Sequence, residues 1–353
     1  MTAQTAHAAP AAQTVRAVIA GRRARTRRRA TVTVALVVTT VAVFAGALMI
    51  GNTFYGPIDV LRVLLGETVP GASFTVGELR LPRAVMGILA GFAFGIAGVT
   101  FQTMLRNPLA SPDVIGITAG ASAAAVVAII VFSLNETLVS GFALAGALLT
   151  AAAIYLLSNK GGFAGARLIL IGIAVAAMLH SVITYLLSRA PAWDLQAAMQ
   201  WLTGSLNGAT WSAVLPLAVA SAVVVPLLLA QERGLGVLRL GDDSAAGLGV
   251  AVRRTRVLLI LAAVALLALA TAACGPIAFV AFMAGPIAAR IAGPGASLLL
   301  PSGLVGALLV LVADLAAQFA FDSRYPVGVV TGVLGAPYLV YLLVRTNRSG
   351  GSL

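Results

Sequence analysis

The stretch that decides the fold is residues 80–120, RLPRAVMGILAGFAFGIAGVTFQTMLRNPLASPDVIGITAG. Its apolar part, 84–105, has the length of about 17–25 residues that a helix needs to cross a bilayer. Small residues recur along one side of that helix, where they allow close packing against other helices. These are Gly87, Gly91, Gly95 and Gly98. The stretch therefore predicts a membrane-spanning helix ended by a polar turn at Arg106-Asn107-Pro108. The glycine spacing indicates close helix contacts, and a moving or pore-lining helix is the alternative that the spacing leaves open.

The rest of the chain has the same character. Of its 353 residues, 60% are hydrophobic and only 10% are charged, and the mean hydropathy is +1.02. A soluble domain carries roughly 25% charged residues. The composition excludes a soluble enzyme, a disordered protein and a collagen-like fibre. It predicts an all-α polytopic membrane protein.

Ten apolar segments of bilayer length can be marked along the chain. They are 31–50, 84–105, 115–133, 138–158, 168–187, 211–230, 257–274, 276–292, 302–321 and 327–344. Together they predict one ten-helix transmembrane domain over 31–345. For the two segments that flank Gly275-Pro276, a merged span or a re-entrant turn is the alternative. An Arg-rich N-terminal tail at 1–30 and a short C-terminal tail at 346–353 flank it.

The distribution of charge orients these spans. With the N-terminus in the cytoplasm, 18 of the 23 Lys and Arg residues lie inside, and the outside holds only Arg62, Arg80, Arg83, Arg189 and Arg324. This follows the positive-inside rule and predicts a multi-pass protein of the cytoplasmic (inner) membrane with both termini cytoplasmic. The basic tail could also bind nucleic acid, but its position directly before the first span favours contact with the anionic leaflet. We therefore expect the lipid bilayer, and no nucleic acid, as its partner.

No catalytic or metal-binding constellation is evident. Cys274 is the only cysteine, which excludes an intramolecular disulfide and a Cys-based metal cluster. Lys160, in Asn-Lys-Gly-Gly, lacks the spacing of a phosphate-binding loop, so a separate subunit would have to bind any ATP used. Asp314 lies within a span, where a charge is costly. A structural ion pair and a role in transport are both open for it.

The longest inside connection is 231–256, which is polar and rich in glycine. The longest outside connection is 51–83, whose middle predicts a short interfacial helix.

Four blocks of the chain, in order, resemble the signature regions of the FecCD-type permeases for iron siderophores and vitamin B12. They are 80–120, quoted above, 238–250 (LRLGDDSAAGLGV), 275–282 (GPIAFVAF) and 326–343 (PVGVVTGVLGAPYLVYLL). The matching structural residues are Asn107, Pro108, Pro112, Gly116, Gly275, Pro276, Pro326 and Gly328. The resemblance covers nearly the whole chain.

The resemblance implies the permease fold of a type II ABC importer. Two permease chains, alike or different, would assemble with two ATPase subunits inside and one substrate-binding protein outside. ATP and magnesium would belong to the ATPase subunits, and this chain would need no cofactor or metal of its own. It would not be an enzyme.

The resemblance also implies two kinds of contact residue. Arg80 and Arg83 match outside arginines that meet acidic residues of the binding protein, and membrane-interface anchoring is the alternative. The loop 231–256 matches the segment that contacts the ATPase, through Gly241, Asp242, Asp243, Ala245, Leu248, Gly249 and Val250. Gly241, Asp242 and Asp243 would begin a short helix there.

Three departures from the family pattern bear on these expectations. Gly285-Pro286 replaces Pro-His, Gln318 replaces an arginine four residues after Asp314, and Arg324 replaces a glutamate before Pro326. Arg324 could supply an alternative docking contact. The changes are also consistent with one half of a heterodimer.

The sequence therefore predicts the permease subunit of an ATP-driven importer of a ferric siderophore, working by alternating access. The family resemblance implies that the spans 168–187 and 327–344 line its cavity. Vitamin B12 or haem is the alternative cargo. An ion-gradient-driven secondary transporter is the alternative of another class.

Overall fold

The computed structural model describes residues 8–113, 115–159, 165–293 and 297–348. Lys160 and the ends of both predicted tails lie outside these ranges. The described residues form helices and no strands. The helices are α1 (Ala8–Met49), α2 (Pro57–Leu64), α3 (Leu81–Met104), α4 (Ile117–Ile130), α5 (Glu136–Ser158), α6 (Gly165–Arg189), α7 (Ala192–Thr203), α8 (Trp211–Ala230), α9 (Glu232–Leu238), α10 (Asp242–Gly247), α11 (Val252–Cys274), α12 (Val280–Ala292), α13 (Leu299–Phe319) and α14 (Val327–Arg348). A π-helical segment, Ser73–Arg80, leads directly into α3.

The ten predicted spans coincide one to one with apolar helices. Eight helices are long and apolar enough to cross a membrane, and they include most of α1 and all of α3, α5, α6, α8, α11 and α13, with α14 as far as Val344. The other two, α4 and α12, are apolar but shorter. The all-α prediction is confirmed, and α2 is the short helix expected in the middle of 51–83.

Helices α4 and α12 both begin after non-helical backbone that is largely buried. Gly116, at the start of α4, has φ +90°, and Phe279, at the start of α12, has φ +63°. Irregular backbone at membrane depth is tolerated where protein or water covers its polar groups. The turns before α4 and α12 are covered by protein, because Ala110, Ser111 and Ile277 are buried.

Helix α3 forms the centre of the bundle. About 78% of its most apolar stretch is buried inside the protein, whereas only 17% of the corresponding stretch of α8 is buried. Three of its glycines touch the backbone of neighbouring helices: a Cβ added at Gly91, Gly95 or Gly98 would meet the carbonyl oxygen of Gly306, Ser302 or Ala281. The close contacts predicted for this glycine side are thus present, against α13 and α12.

The Arg-rich segment before the first span is helical and continuous with it. The guanidinium of Arg28 donates a hydrogen bond to the carbonyl of Ile291 at 3.2 Å, and Arg29 pairs with Glu232 at 2.8 Å. These contacts hold the end of α1 that precedes the span against α9 and the end of α12. The predicted boundary at residue 30 therefore lies inside a single helix.

Candidate functional site

The predicted docking and coupling regions lie near opposite ends of α3. Arg80 and Arg83 lie at its first residues, whereas Arg106 follows its last turn and approaches Gly241, the residue before α10. We call the first end the arginine end and residues 231–256 the coupling segment. The two predicted contact regions therefore face opposite sides of the bundle.

Arg80 is bound to the end of α1. Its guanidinium donates to the carbonyl oxygens of Leu48 and Met49, both at 2.9 Å, and of Thr53 at 2.6 Å. It also lies over the ring of Tyr55, 5.0 Å from the centroid. The last carbonyls of a helix have no partner within that helix. Arg80 supplies partners for them and fixes α1 to the beginning of α3.

Substituting Arg80 by methionine should lower the free energy of unfolding by about 2 kcal/mol, because hydrogen bonds to a charged group contribute about 1.5–3 kcal/mol. Thermal unfolding in detergent measures this. The matched control is Arg324→Met, which removes one exposed hydrogen bond to Asn52 and should change stability by less than about 0.5 kcal/mol. Equal losses in the two variants would contradict the capping role of Arg80.

Asp314 forms a largely buried ion pair with Arg83. Arg83 donates from Nε to Oδ2 at 2.8 Å and from a terminal nitrogen to Oδ1 at 2.7 Å, while its other terminal nitrogen donates to Asn207 at 2.6 Å. The side chains of Arg83 and Asp314 are 19% and 8% exposed. A structural ion pair and a role in transport were both open for Asp314, and the structure contains the ion pair.

Gln318 belongs to the same cluster. Its amide nitrogen donates to Oδ2 of Asp314 at 2.8 Å, one helical turn earlier. The family arginine expected at this position would place a second positive charge beside the carboxylate. A neutral amide instead leaves Asp314 and Arg83 as a matched pair.

Arg324 is the exposed one of the three predicted docking arginines. Its guanidinium donates to the side-chain oxygen of Asn52, which is also exposed, at 2.8 Å. The three predicted docking residues therefore differ: Arg80 and Arg83 have several partners within the chain, whereas Arg324 has a single exposed one.

Two of the signature blocks meet at a junction of glycines. Gly275 packs on the backbone of Gly204, where a Cβ on either residue would meet a carbonyl of the other segment. Gly328 donates from its backbone nitrogen to the carbonyl of Gly204 at 3.1 Å, and a Cβ on it would meet the carbonyl of Thr203. Pro276 and Pro326 flank this contact. The ends of α7 and α11 and the beginning of α14 thus have direct backbone contacts at these glycines.

The first signature block forms the turn between α3 and α4. The side-chain oxygen of Asn107 accepts a hydrogen bond from the backbone nitrogen of Leu109 at 2.9 Å, which stabilises a tight turn before the buried Pro112. Gly116 lies against the backbone of Gly172 in α6. Asn107 and Gly116 are accordingly placed by turn geometry, and Pro108 lies within the same turn.

The coupling segment contains two short helices, α9 and α10. Gly241 has φ +104° and precedes Asp242 and Asp243 in the first turn of α10, as predicted. Ala245 is buried, whereas Leu248 is 65% exposed. The turn then closes at Gly249, with φ +83°, before the half-buried Val250. The segment presents a short helix with an exposed apolar end.

Arg256 links this segment to the membrane-spanning region. One of its terminal nitrogens lies 2.8 and 3.0 Å from the two carboxylate oxygens of Asp242, and the residue is 7% exposed. Arg256 lies in the second turn of α11. The ion pair therefore joins α10 directly to a long apolar helix.

Sequence reasoning missed Arg256 and Asn207 as site residues. Arg256 was counted only among the inside charges, although a charge one turn into an apolar helix is a signal that a partner is required. Asn207 follows the α7 helix in a polar loop, and no local pattern distinguishes it from other loop residues.

Comparisons with known proteins identify the family of this chain. The model of the FecCD transport family matches residues 36–345. The ferric enterobactin transport system permease protein of Escherichia coli (strain K12) is 42% identical over 82% of this chain and 88% of its own length. The iron(3+)-hydroxamate import system permease protein of Bacillus subtilis (strain 168) is 37% identical over 87% and 94%.

A solved structure shares the fold. A metal-chelate type ABC transporter in an inward-facing conformation has a TM-score of 0.80 and 25% identity, and the match covers 89% of this chain and 99% of that chain. The family match spans all four signature blocks and both ends of α3. This chain belongs to the FecCD transport family.

Proposed function

We propose that this chain is the permease subunit of an ATP-driven importer that carries a ferric siderophore across the cytoplasmic membrane. Both curated relatives described above are named for permeases of ferric chelates, enterobactin in one and hydroxamates in the other. The structural neighbour is a metal-chelate transporter. Ferric siderophore is the cargo class common to these names, and vitamin B12 or haem is the alternative cargo.

Energy enters through the coupling segment. Leu240 and Leu248 are 64% and 65% exposed and lie on either side of α10. Exposed apolar side chains beside a short polar helix favour a protein partner. The partner is an ATPase subunit, which holds the ATP and magnesium. Two such subunits serve two permease chains, alike or different.

The cavity for the cargo lies between two permease chains, lined by α6 and α14. In α6, the His180 side chain is exposed although it lies within an apolar span, whereas the hydroxyls of Ser181 and Thr184 donate to carbonyls of their own helix. Polar groups within a membrane usually face a protein interior or a water-filled cavity, and not lipid. This side of α6 therefore supports the expected cavity lining.

The arginine end receives the substrate-binding protein outside the membrane. Arg324 is the exposed contact, while Arg80 and Arg83 shape the surface around it through their bonds within the chain. Charged contacts of this kind orient a partner and speed its encounter more than they add affinity.

The observation that carries the proposal is the short helix with exposed leucines, tied to α11 by the Arg256–Asp242 pair. The test is reconstitution of the chain with its ATPase and binding protein in liposomes. Uptake of a radioactive ferric siderophore should require ATP and should persist when ion gradients are collapsed. Uptake by the chain alone, driven by a proton gradient, would overturn the proposal in favour of a secondary transporter.

In the same assay, Leu248→Asp should reduce ATP-dependent uptake about tenfold, since it places a charge in an apolar contact worth about 1.4 kcal/mol. The matched control is Leu65→Asp, which is 72% exposed at the C-terminal end of α2 and should leave uptake unchanged. Similar losses in both variants would contradict a specific contact at Leu248.

A further inference from the structure

Two clefts adjoin at the beginning of α11. The first has a volume of about 490 Å³ and is lined by Tyr155, Asn159, Asp242, Val252, Arg253, Arg256 and Val257. The second, of about 550 Å³, is lined by Ala251, Val252, Arg253, Arg254, Val257 and Leu258. They share Val252, Arg253 and Val257. A polar cleft thus continues into a shallow, open apolar cleft that is formed by the beginning of α11 alone.

The polar cleft has the groups that bind a phosphate. Arg253 is exposed at its edge and Arg256 lies in its wall, while Asp242 supplies a single negative charge. Tyr155 and Asn159, from the end of α5, add a hydroxyl and an amide. Arginine and neutral hydrogen-bond donors together suit a phosphate anion. The lining charges leave an excess of positive charge.

Arg254, which lines the second cleft beside Arg253, adds a further positive charge. In the described part of the chain, neither Arg253 nor Arg254 takes part in an ion pair. Both lie in the first turn of α11, immediately before its apolar stretch. Arginines at this position lie at the depth of lipid headgroups, where anionic lipids attract them.

We propose that the paired clefts bind one anionic phospholipid. Its phosphodiester lies in the polar cleft with Arg253, and one acyl chain follows Val257 and Leu258 along the apolar cleft. Only an amphipathic ligand uses both clefts. The inference rests on the proposed function for its leaflet, which is the cytoplasmic one, and for the expected effect on uptake.

Lipid bound at this site also acts on the coupling segment through Arg256. A phosphate beside Arg256 competes with Asp242 for the same guanidinium, which holds α10 against α11. Bound lipid therefore changes how firmly α10 is held. We expect the rate of ATP-dependent uptake to depend on the anionic lipid content of the membrane.

The test measures binding on the delipidated full-length chain in detergent by native mass spectrometry. Phosphatidylglycerol should bind, and phosphatidylcholine with the same acyl chains should bind much more weakly. Substituting Arg253 and Arg254 together by glutamine should weaken phosphatidylglycerol binding roughly thirtyfold, about fivefold for each arginine. The matched control carries Arg233→Gln and Arg239→Gln, which remove the same charge from the coupling segment outside both clefts, and it should retain affinity.

Several outcomes would overturn the proposal. Equal weakening by the two pairs of substitutions would reduce the effect to general charge attraction. Inorganic phosphate that binds as tightly as phosphatidylglycerol would identify a free-anion site in which the apolar cleft plays no part. Unchanged lipid binding, with loss of ATPase association in the Arg253/Arg254 variant, would assign these arginines to the ATPase instead. Because binding is measured without transport, failure of the transport assay leaves this result intact.

Discussion

Substituting Asp314 by alanine is expected to lower the free energy of unfolding by about 3–5 kcal/mol, since removing one partner of a buried ion pair leaves an uncompensated charge. The charge is that of Arg83, whose side chain is 19% exposed and which loses both bonds to the carboxylate. Thermal unfolding of the purified chain in detergent measures the loss. The pair joins α3 to α13 at the arginine end of the bundle, so we expect unfolding to remain cooperative at a lower temperature.

Two controls separate the cost of leaving a buried charge unpaired from the cost of losing an ion pair as such. Glu67→Ala breaks the pair with Arg62, whose side chains are about half exposed, and should cost at most about 1 kcal/mol. The double variant Arg83→Met with Asp314→Leu removes both charges and should recover most of the stability, because apolar residues of similar volume often replace a buried pair at little cost. A double variant as unstable as Asp314→Ala would show that the hydrogen bonds, and not the uncompensated charge, dominate.

Substituting Gly98 by valine is expected to destabilise the chain by about 3 kcal/mol, at the upper end of the usual cost of overpacking. A Cβ on Gly98 would meet the carbonyl oxygen of Ala281, and backbone atoms cannot rotate away as a side chain does. Helices α3 and α12 would have to separate. The yield of folded protein in detergent and its unfolding temperature would both report the change.

The matched control is Gly141→Val in α5, where nothing lies within 4 Å of the added Cβ. It introduces the same side chain into a membrane-spanning helix and should change stability by less than about 0.5 kcal/mol. A comparable loss at Gly141 would mean that valine disfavours these helices for a reason other than packing. Unchanged stability at Gly98 would contradict the close contact itself.

Much of the fold follows from local properties of the chain. Apolar segments of bilayer length mark each of the ten helices, because every backbone group in a membrane must be satisfied within its own helix. The spacing of Gly91, Gly95 and Gly98 likewise indicates a close helix contact. The helix at α10 follows from Gly241 and the two acidic residues after it. These features depend on neighbours within a few residues.

The pairing of distant residues is not predictable in this way. Asp314 and Arg83 are 231 positions apart, and the sequence indicates only that such an aspartate requires a partner or a cavity. Arg80 resembles a docking residue in sequence, yet its bonds cap α1, whose end lies beside it only in the folded bundle. The pair of Arg256 with Asp242 likewise depends on how α10 folds back against α11. The position of each helix can thus be predicted from the local sequence. Which partner each charged side chain binds depends on how the helices pack.

The glycine junction at Gly204, Gly275 and Gly328 has a mechanical consequence. Side chains act as a deformable layer between helices, and here that layer is missing, so the three backbones are in direct contact. A rotation of α14 cannot be absorbed at this point. If α14 tilts during transport, the junction acts as its pivot, and the movement is largest at the far end of α14.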